Sequence, residues 1–123
     1  MNLNQRKYVF DPAADDDEDP VAAVIELTGR KWTRPIVEHL LDGGNMRYSE
    51  LAAEIDGISD KMLSESLEDL EESQLVSRDV VDTRPVRVEY SLTETGAALE
   101  EVIDAVAEWT ELYADRVDTT PDI

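Results

Sequence analysis

The 123-residue chain contains no cysteine, and only three of its residues are lysine. Without thiols there is no disulfide, no zinc–thiolate site and no thiol redox sensor. Histidine occurs once, at His39; with no second histidine or cysteine near it, it reads as a half-exposed helix residue and not as a metal ligand or a catalytic group. No run approaches the roughly 20 apolar residues of a membrane span. The N-terminal "MNLNQRKYVFDPAADDDEDP" holds no apolar stretch of signal-peptide length. The expected location is therefore cytoplasmic, with no membrane partner. Ser/His/Asp arrangements, metal-ligand spacing and Gly-rich phosphate loops are also missing, so neither an enzyme nor a cofactor is expected.

What is present in excess is acid: 30 Asp and Glu against 11 Lys and Arg, a net charge of −19. Most of the Lys and Arg falls in residues 30–93; residues 94–123 carry nine acids and one base. Such a charge repels itself in dilute buffer. In molar salt, where the Debye length is about 3 Å, that cost mostly disappears. Acidic surfaces poor in lysine resemble proteins of salt-loving archaea, and the carboxylates read as an adaptation to solvent. At 41% hydrophobic the chain is globular, with enough length for one domain.

Along the chain, residues 1–19 read as an acidic flexible tail, 20–116 as the domain and 117–123 as a short tail. Pro20 opens a helix with Val21, Val24, Ile25 and Thr28 on one face and Gly29 at its end. "KWTRPIVEHLLDGG" is a second helix, with Thr33 as expected N-cap and a stripe of Ile36, Val37, Leu40 and Leu41. "MRYSELAAEIDG" gives a short helix with Leu51, Ala52 and Ile55 inward. Ser59 caps a fourth helix whose expected core stripe is Met62, Leu63, Leu67 and Leu70. The period then changes to two: "LVSRDVV" and the alternating "VRVEYSL" form a hairpin about the turn "DTRP". Thr93 caps a last helix expected to run unbroken from Glu94 to about Arg116. Its stripe of Leu99, Val102, Ile103, Val106, Trp109, Leu112 and Tyr113 is more apolar length than so small a domain covers alone, which points to a partner chain. The fold class is thus mainly α with a small β-hairpin wing (α+β): a winged helix-turn-helix with extra N- and C-terminal helices.

The blocks "GRKWTRPIVEHLLDGGNMRYSELAAEIDGISDKMLSESLEDLEESQLVSRDV" and "RPVRVEYSLTETGAALEEVI" are specific in combination. On them the chain resembles the HxlR-type winged-helix transcriptional regulators of bacteria and archaea, over about Val21 to Trp109. The resemblance implies a homodimeric DNA-binding regulator without enzymatic activity. Its dimer contacts would come from the first and last helices: Val21, Val24, Ile25, Leu99, Val102, Ile103, Val106, Trp109, Leu112 and Tyr113. Many such regulators carry Cys-Pro just before the first helix, and some use that cysteine to sense oxidants; here the pair is Asp19-Pro20.

A recognition helix reads base edges with its first two turns, which here offer Asp60, Lys61, Ser64 and Glu65. Lys61 suits guanine O6/N7 or a phosphate, Ser64 either kind of base edge, and Glu65 cytosine N4. Phosphate contacts are expected from Arg47 and Ser49, from Arg84 and Arg87 on the wing, from Lys31 and Arg34, and from the helix N-termini expected at Ser49 and Ser59. The alternative assigns these side chains to ordinary surface pairs. Lys61 and Glu65, four residues apart, would then be worth a few tenths of a kcal/mol, and the acidic domain would meet a protein partner with no specific DNA binding. The leading expectation is double-stranded DNA with a pseudo-palindromic operator, bound in high salt, plus a small-molecule effector that the sequence does not identify.

Overall fold

The computed structural model describes residues 19–117. The order is α1 (Pro20–Thr28), α2 (Thr33–Gly43), β1 (Met46–Arg47), α3 (Tyr48–Glu54), α4 (Asp60–Glu72), β2 (Val76–Thr83), β3 (Val86–Leu92), α5 (Glu94–Ala97) and α6 (Leu99–Arg116). The tails expected over 1–19 and 117–123 lie outside the described residues, apart from Asp19 and Val117. Asp19 is the N-cap of α1: its carboxylate accepts from the Val21 and Ala22 amides at 3.0 and 3.3 Å. Asp19 therefore closes the start of this helix.

The core is one cluster in which Ile36 and Val37 of α2, Leu51 of α3 and Leu63, Leu67 and Leu70 of α4 are buried. Leu27, Leu40, Met46, Ile55, Leu75, Val76, Tyr90 and Leu99 complete it. The helical stripes explain this: residues three and four apart share a face, and each helix turns that face to the same centre. Met62 departs from the expected stripe and is 38% exposed. It sits one position off the line of Leu63, Leu67 and Leu70, on the helix shoulder.

The three antiparallel strands stand in the order β1-β3-β2. The β1 strand, not foreseen in the sequence, pairs Met46 with Tyr90 and Arg47 with Glu89. Leu75, the first residue expected in β2, precedes the strand, and Asp82 and Thr83 of the expected turn belong to it, leaving Arg84-Pro85 as the hairpin tip. A register irregularity between Val80 and Asp82 lets Asp82 face Arg87 and Thr83 face Val86.

Helix ends differ from expectation in three places. Trp32, not Thr33, is the N-cap of α2, and Thr33 is buried inside the first turn. Arg47, not Ser49, is the N-cap of α3, and Glu50 closes that end by accepting from the Arg47 amide at 2.8 Å. The expected single last helix breaks at Ala98 into α5 and α6. Thr93 does cap α5, with its hydroxyl oxygen accepting from the Gly96 amide at 3.0 Å. Gly96 lies so close to the Leu75 backbone that a Cβ there would collide with the Leu75 carbonyl oxygen. That approach docks α5 on the start of the hairpin and aims α6 back across α2.

Candidate nucleic-acid interface

The α3–turn–α4 unit is held by short-range polar contacts. Gly57 takes a left-handed conformation, φ 81°, which lets the chain reverse within a few residues. Ser59 accepts from the Met62 amide at 3.1 Å and so closes the N-terminus of α4. Across the turn, the Tyr48 hydroxyl donates to the Asp60 carbonyl at 3.1 Å and lies 3.1 Å from the Ser64 hydroxyl. Tyr48 was not foreseen in this role; no periodicity marks it. The far end of α4 closes with Gln74 in the left-handed region, φ 63°, while the Gln74 and Leu75 amides donate to the Glu71 and Leu70 carbonyls.

The expected DNA-binding residues fall into groups. Lys61 is 80% exposed, and its Nζ lies 3.9 Å from the Glu65 carboxylate. So loose a pair is readily exchanged for another anion. Ser64, one turn into the helix, is shared with Tyr48. A groove of about 560 Å³ gathers Lys31, Trp32, Gly57, Ser59, Met62 and Glu65. At its rim the Lys31 ammonium stands 4.9 Å over the Trp32 ring. Lys31, Ser59 and Glu65 are thus brought together.

Arg47 and Ser49 lie at the start of α3, where Arg47 is 3.8 Å from Glu50. Arg84 and Arg87 are exposed on the wing, and among the described residues neither forms an ion pair. Asp82 instead accepts from the Arg84 backbone amide at 3.2 Å. Arg34 goes elsewhere. It pairs with Glu38 at 3.1 Å and lines a second groove, of about 530 Å³, with Ile25, Val102, Val106 and Ala107.

That second groove belongs to the surface of α1 and α6. Ile25 is 65% exposed, Val106 58% and Trp109 59%; Val21, Val102, Leu112 and Tyr113 are exposed as well. The Trp109 and Tyr113 rings stack with centroids 5.1 Å apart. Val24 and Ile103 are half-buried, and Leu99 is buried in the protomer's own core. His39 is half-buried, and its Nδ1 donates to the Pro35 carbonyl at 2.8 Å. Among the described residues no group of His, Asp and Glu is placed to hold a metal ion, and no helix is long and apolar enough to cross a membrane.

A short helix, a glycine turn, a capped second helix with Lys61 on its first turn and a two-stranded wing carrying arginines give this protein the winged helix-turn-helix fold. The chain matches the HxlR-like helix-turn-helix family over residues 27–118 and belongs to that family. It is 38% identical over 117 residues to the HTH-type transcriptional regulator YdeP of Bacillus subtilis, covering 94% of this chain and 91% of YdeP. It is 36% identical over 110 residues to an HTH-type transcriptional regulator of Methanothermobacter thermautotrophicus, covering 89% of this chain and 83% of that one. Among solved structures, the reduced form of the transcriptional regulator YodB from B. subtilis superposes with a TM-score of 0.71 at 36% identity, covering 79% of this chain and 94% of YodB. YodB has also been solved with a bound quinone; that structure superposes with a TM-score of 0.65 at 35% identity, covering 75% of this chain and 96% of its own. The protein is accordingly a DNA-binding transcriptional regulator, from a family of regulators and not of enzymes.

Proposed function

We propose that the protein acts as a cytoplasmic homodimer that recognises a rough palindrome in double-stranded DNA, does so in concentrated salt, and has no catalytic role. The observation that carries this reading is the placement of its few cations. In a chain of net charge −19, Lys61 stands on the first turn of α4 beside its Ser59 cap and Lys31 lines the groove that Ser59 and Glu65 share, while Arg84 and Arg87 are exposed on the wing and among the described residues form no ion pair. Lys61 and Glu65 would read base edges. Lys31, Arg47, Ser49, Ser59, Arg84 and Arg87 would hold phosphates. Ser64 would act only after releasing Tyr48, and Arg34 belongs with the dimer face.

The exposed apolar side chains of α1 and α6 favour pairing with a second copy, which a palindromic site would mirror. The groove beside them, with Arg34 at its rim, is where a small-molecule effector would touch both helices. The quinone bound to YodB is the precedent for such a ligand. With no cysteine in the chain, an effector here would bind without a thiol adduct.

Ordinary DNA binding weakens steeply as salt rises, through counterion release. Here Asp60 and Glu65 would stand near phosphates and take up cations on binding, offsetting that release. The test is fluorescence anisotropy on a labelled duplex from the gene's own upstream region against a scrambled duplex, in KCl from dilute to molar. Preference for the native duplex that persists in molar KCl, with a flat or reversed salt slope, is the expected result. A steep ordinary slope would remove the cation-uptake account. Equal affinity for both duplexes at every salt concentration would overturn the proposed recognition of that operator.

A further inference from the structure

We infer that Arg30 is a positioning residue that ties α1 to the recognition helix, so that the helix at the proposed dimer face and the helix at the proposed DNA face keep one relative orientation; the DNA part of this rests on the preceding reading. Arg30 lies just beyond the Gly29 cap of α1. Its Nε and Nη2 donate to the two carboxylate oxygens of Glu26, one turn back in α1, at 2.8 and 2.7 Å. Its Nη1 donates to Asp69 Oδ2 at 3.2 Å, on the third turn of α4. The fork on Glu26 fixes the plane of the guanidinium, which leaves the third donor aimed at α4. These hydrogen bonds hold the Glu26 carboxyl below the usual carboxylate range and raise the Arg30 guanidinium in return.

The pairs Arg34–Glu38, Arg47–Glu50 and Lys61–Glu65 each lie within one helical turn. The Arg30–Asp69 pair joins separate elements 39 residues apart. Packing explains why it matters. α4 is fixed to the body by three buried leucines, but Leu27 is the sole buried residue of α1. A nine-residue helix with one deep anchor can pivot about it. The Arg30 contact supplies a second point, and it is made to the recognition helix.

Charge alone predicts the opposite of a tether, which makes the idea testable. Removing Asp69 deletes an acid on the DNA-reading helix and should tighten DNA binding if only charge matters. Asp69→Ala and Arg30→Lys would be compared with the wild type by amide hydrogen exchange and by DNA anisotropy. A lysine keeps the charge but loses the fork. A tether raises exchange of the α1 amides about two- to fivefold in dilute buffer in both variants, as expected for an exposed ion pair. The difference closes in molar KCl, where the pair is screened. DNA affinity in dilute buffer falls by about the same factor in both variants.

Unchanged α1 exchange in both variants overturns the proposal whether or not DNA is bound. Tighter DNA binding by Asp69→Ala, or full affinity kept by Arg30→Lys, overturns the link to recognition and would make Arg30 a plain phosphate contact. Failure of the wild type to bind any DNA would count against the regulator's proposed site, while the exchange data would still decide the tether.

Discussion

α4 and α6 are both amphipathic and acidic, yet one is complete within the protomer and the other is not. α4 buries Leu63, Leu67 and Leu70, and both its ends are closed, by Ser59 and by the Gln74 turn. α6 buries Leu99, half-buries Ile103, and has no side-chain cap at its start. Its later turns leave Val106, Trp109, Leu112 and Tyr113 in water. With its three leucines enclosed, α4 presents a largely polar face, the one assigned to the duplex in the proposed reading. The outward side of α6 is apolar, which suits it to another protein surface. The two halves of the proposed function, reading DNA and pairing, thus divide between a finished helix and an unfinished one.

The largest expected effect separates these two helices directly. Leu67→Ala empties a fully enclosed site and should cost about 2–5 kcal/mol, read by chemical denaturation. Val106→Ala on α6 should leave the unfolding of the monomer within about 0.5 kcal/mol of wild type. Equal losses would erase the distinction.

Next comes Trp109→Ala, which removes the largest exposed ring of the α6 face. If that ring is an interface anchor worth about 2 kcal/mol, the dimer Kd should rise about 30-fold. The dependence of the thermal midpoint on protein concentration should weaken with it. Smaller again is Ser59→Ala, which uncaps α4 at a cost of about 1 kcal/mol and should lower the midpoint by several degrees. DNA affinity should fall beyond that loss if the helix start binds phosphate.

The smallest effect is one of pH. Because the folded-state value of Glu26 lies below its unfolded value, its contribution is complete above the ordinary carboxylate range. It fades as pH falls through the lowered folded value. Protection of the α1 amides should therefore persist to lower pH in the wild type than an ordinary glutamate would allow, and Glu26→Gln should abolish that pH dependence.

Much of the fold is visible in the sequence because amphipathic period and punctuation agree. Ile36, Val37 and Leu40 of the α2 stripe are buried and Leu41 half-buried, the Ser59 cap is found, and Val88, Tyr90 and Leu92 of the alternating strand turn inward, whereas Val86, expected with them, is 70% exposed near the hairpin tip. What the sequence hides depends on tertiary contact. The β1 strand is two residues long and exists through its pairing with β3, so no period can announce it. The break at Ala98 carries no proline; it follows from the collision-free approach of Gly96 to Leu75. Met62 and Leu63 are equally apolar neighbours, and only the helix rotation decides that Leu63 is enclosed. In the candidate site, residue types pointed to the cations, but not to their company. Ser64 is drawn to Tyr48 and Arg30 to Asp69, each distant in sequence and on another helix, while Arg34 pairs with Glu38 on its own helix and lines the groove beside α6.

The central claim is that α6 is incomplete alone. Sedimentation equilibrium in molar KCl, over a wide range of protein concentration, tests it most directly. The account expects twice the chain mass for the wild type and the single-chain mass for a Val106→Asp, Trp109→Asp double variant whose far-ultraviolet circular dichroism is unchanged. A wild type that stays at the single-chain mass at every concentration would contradict it.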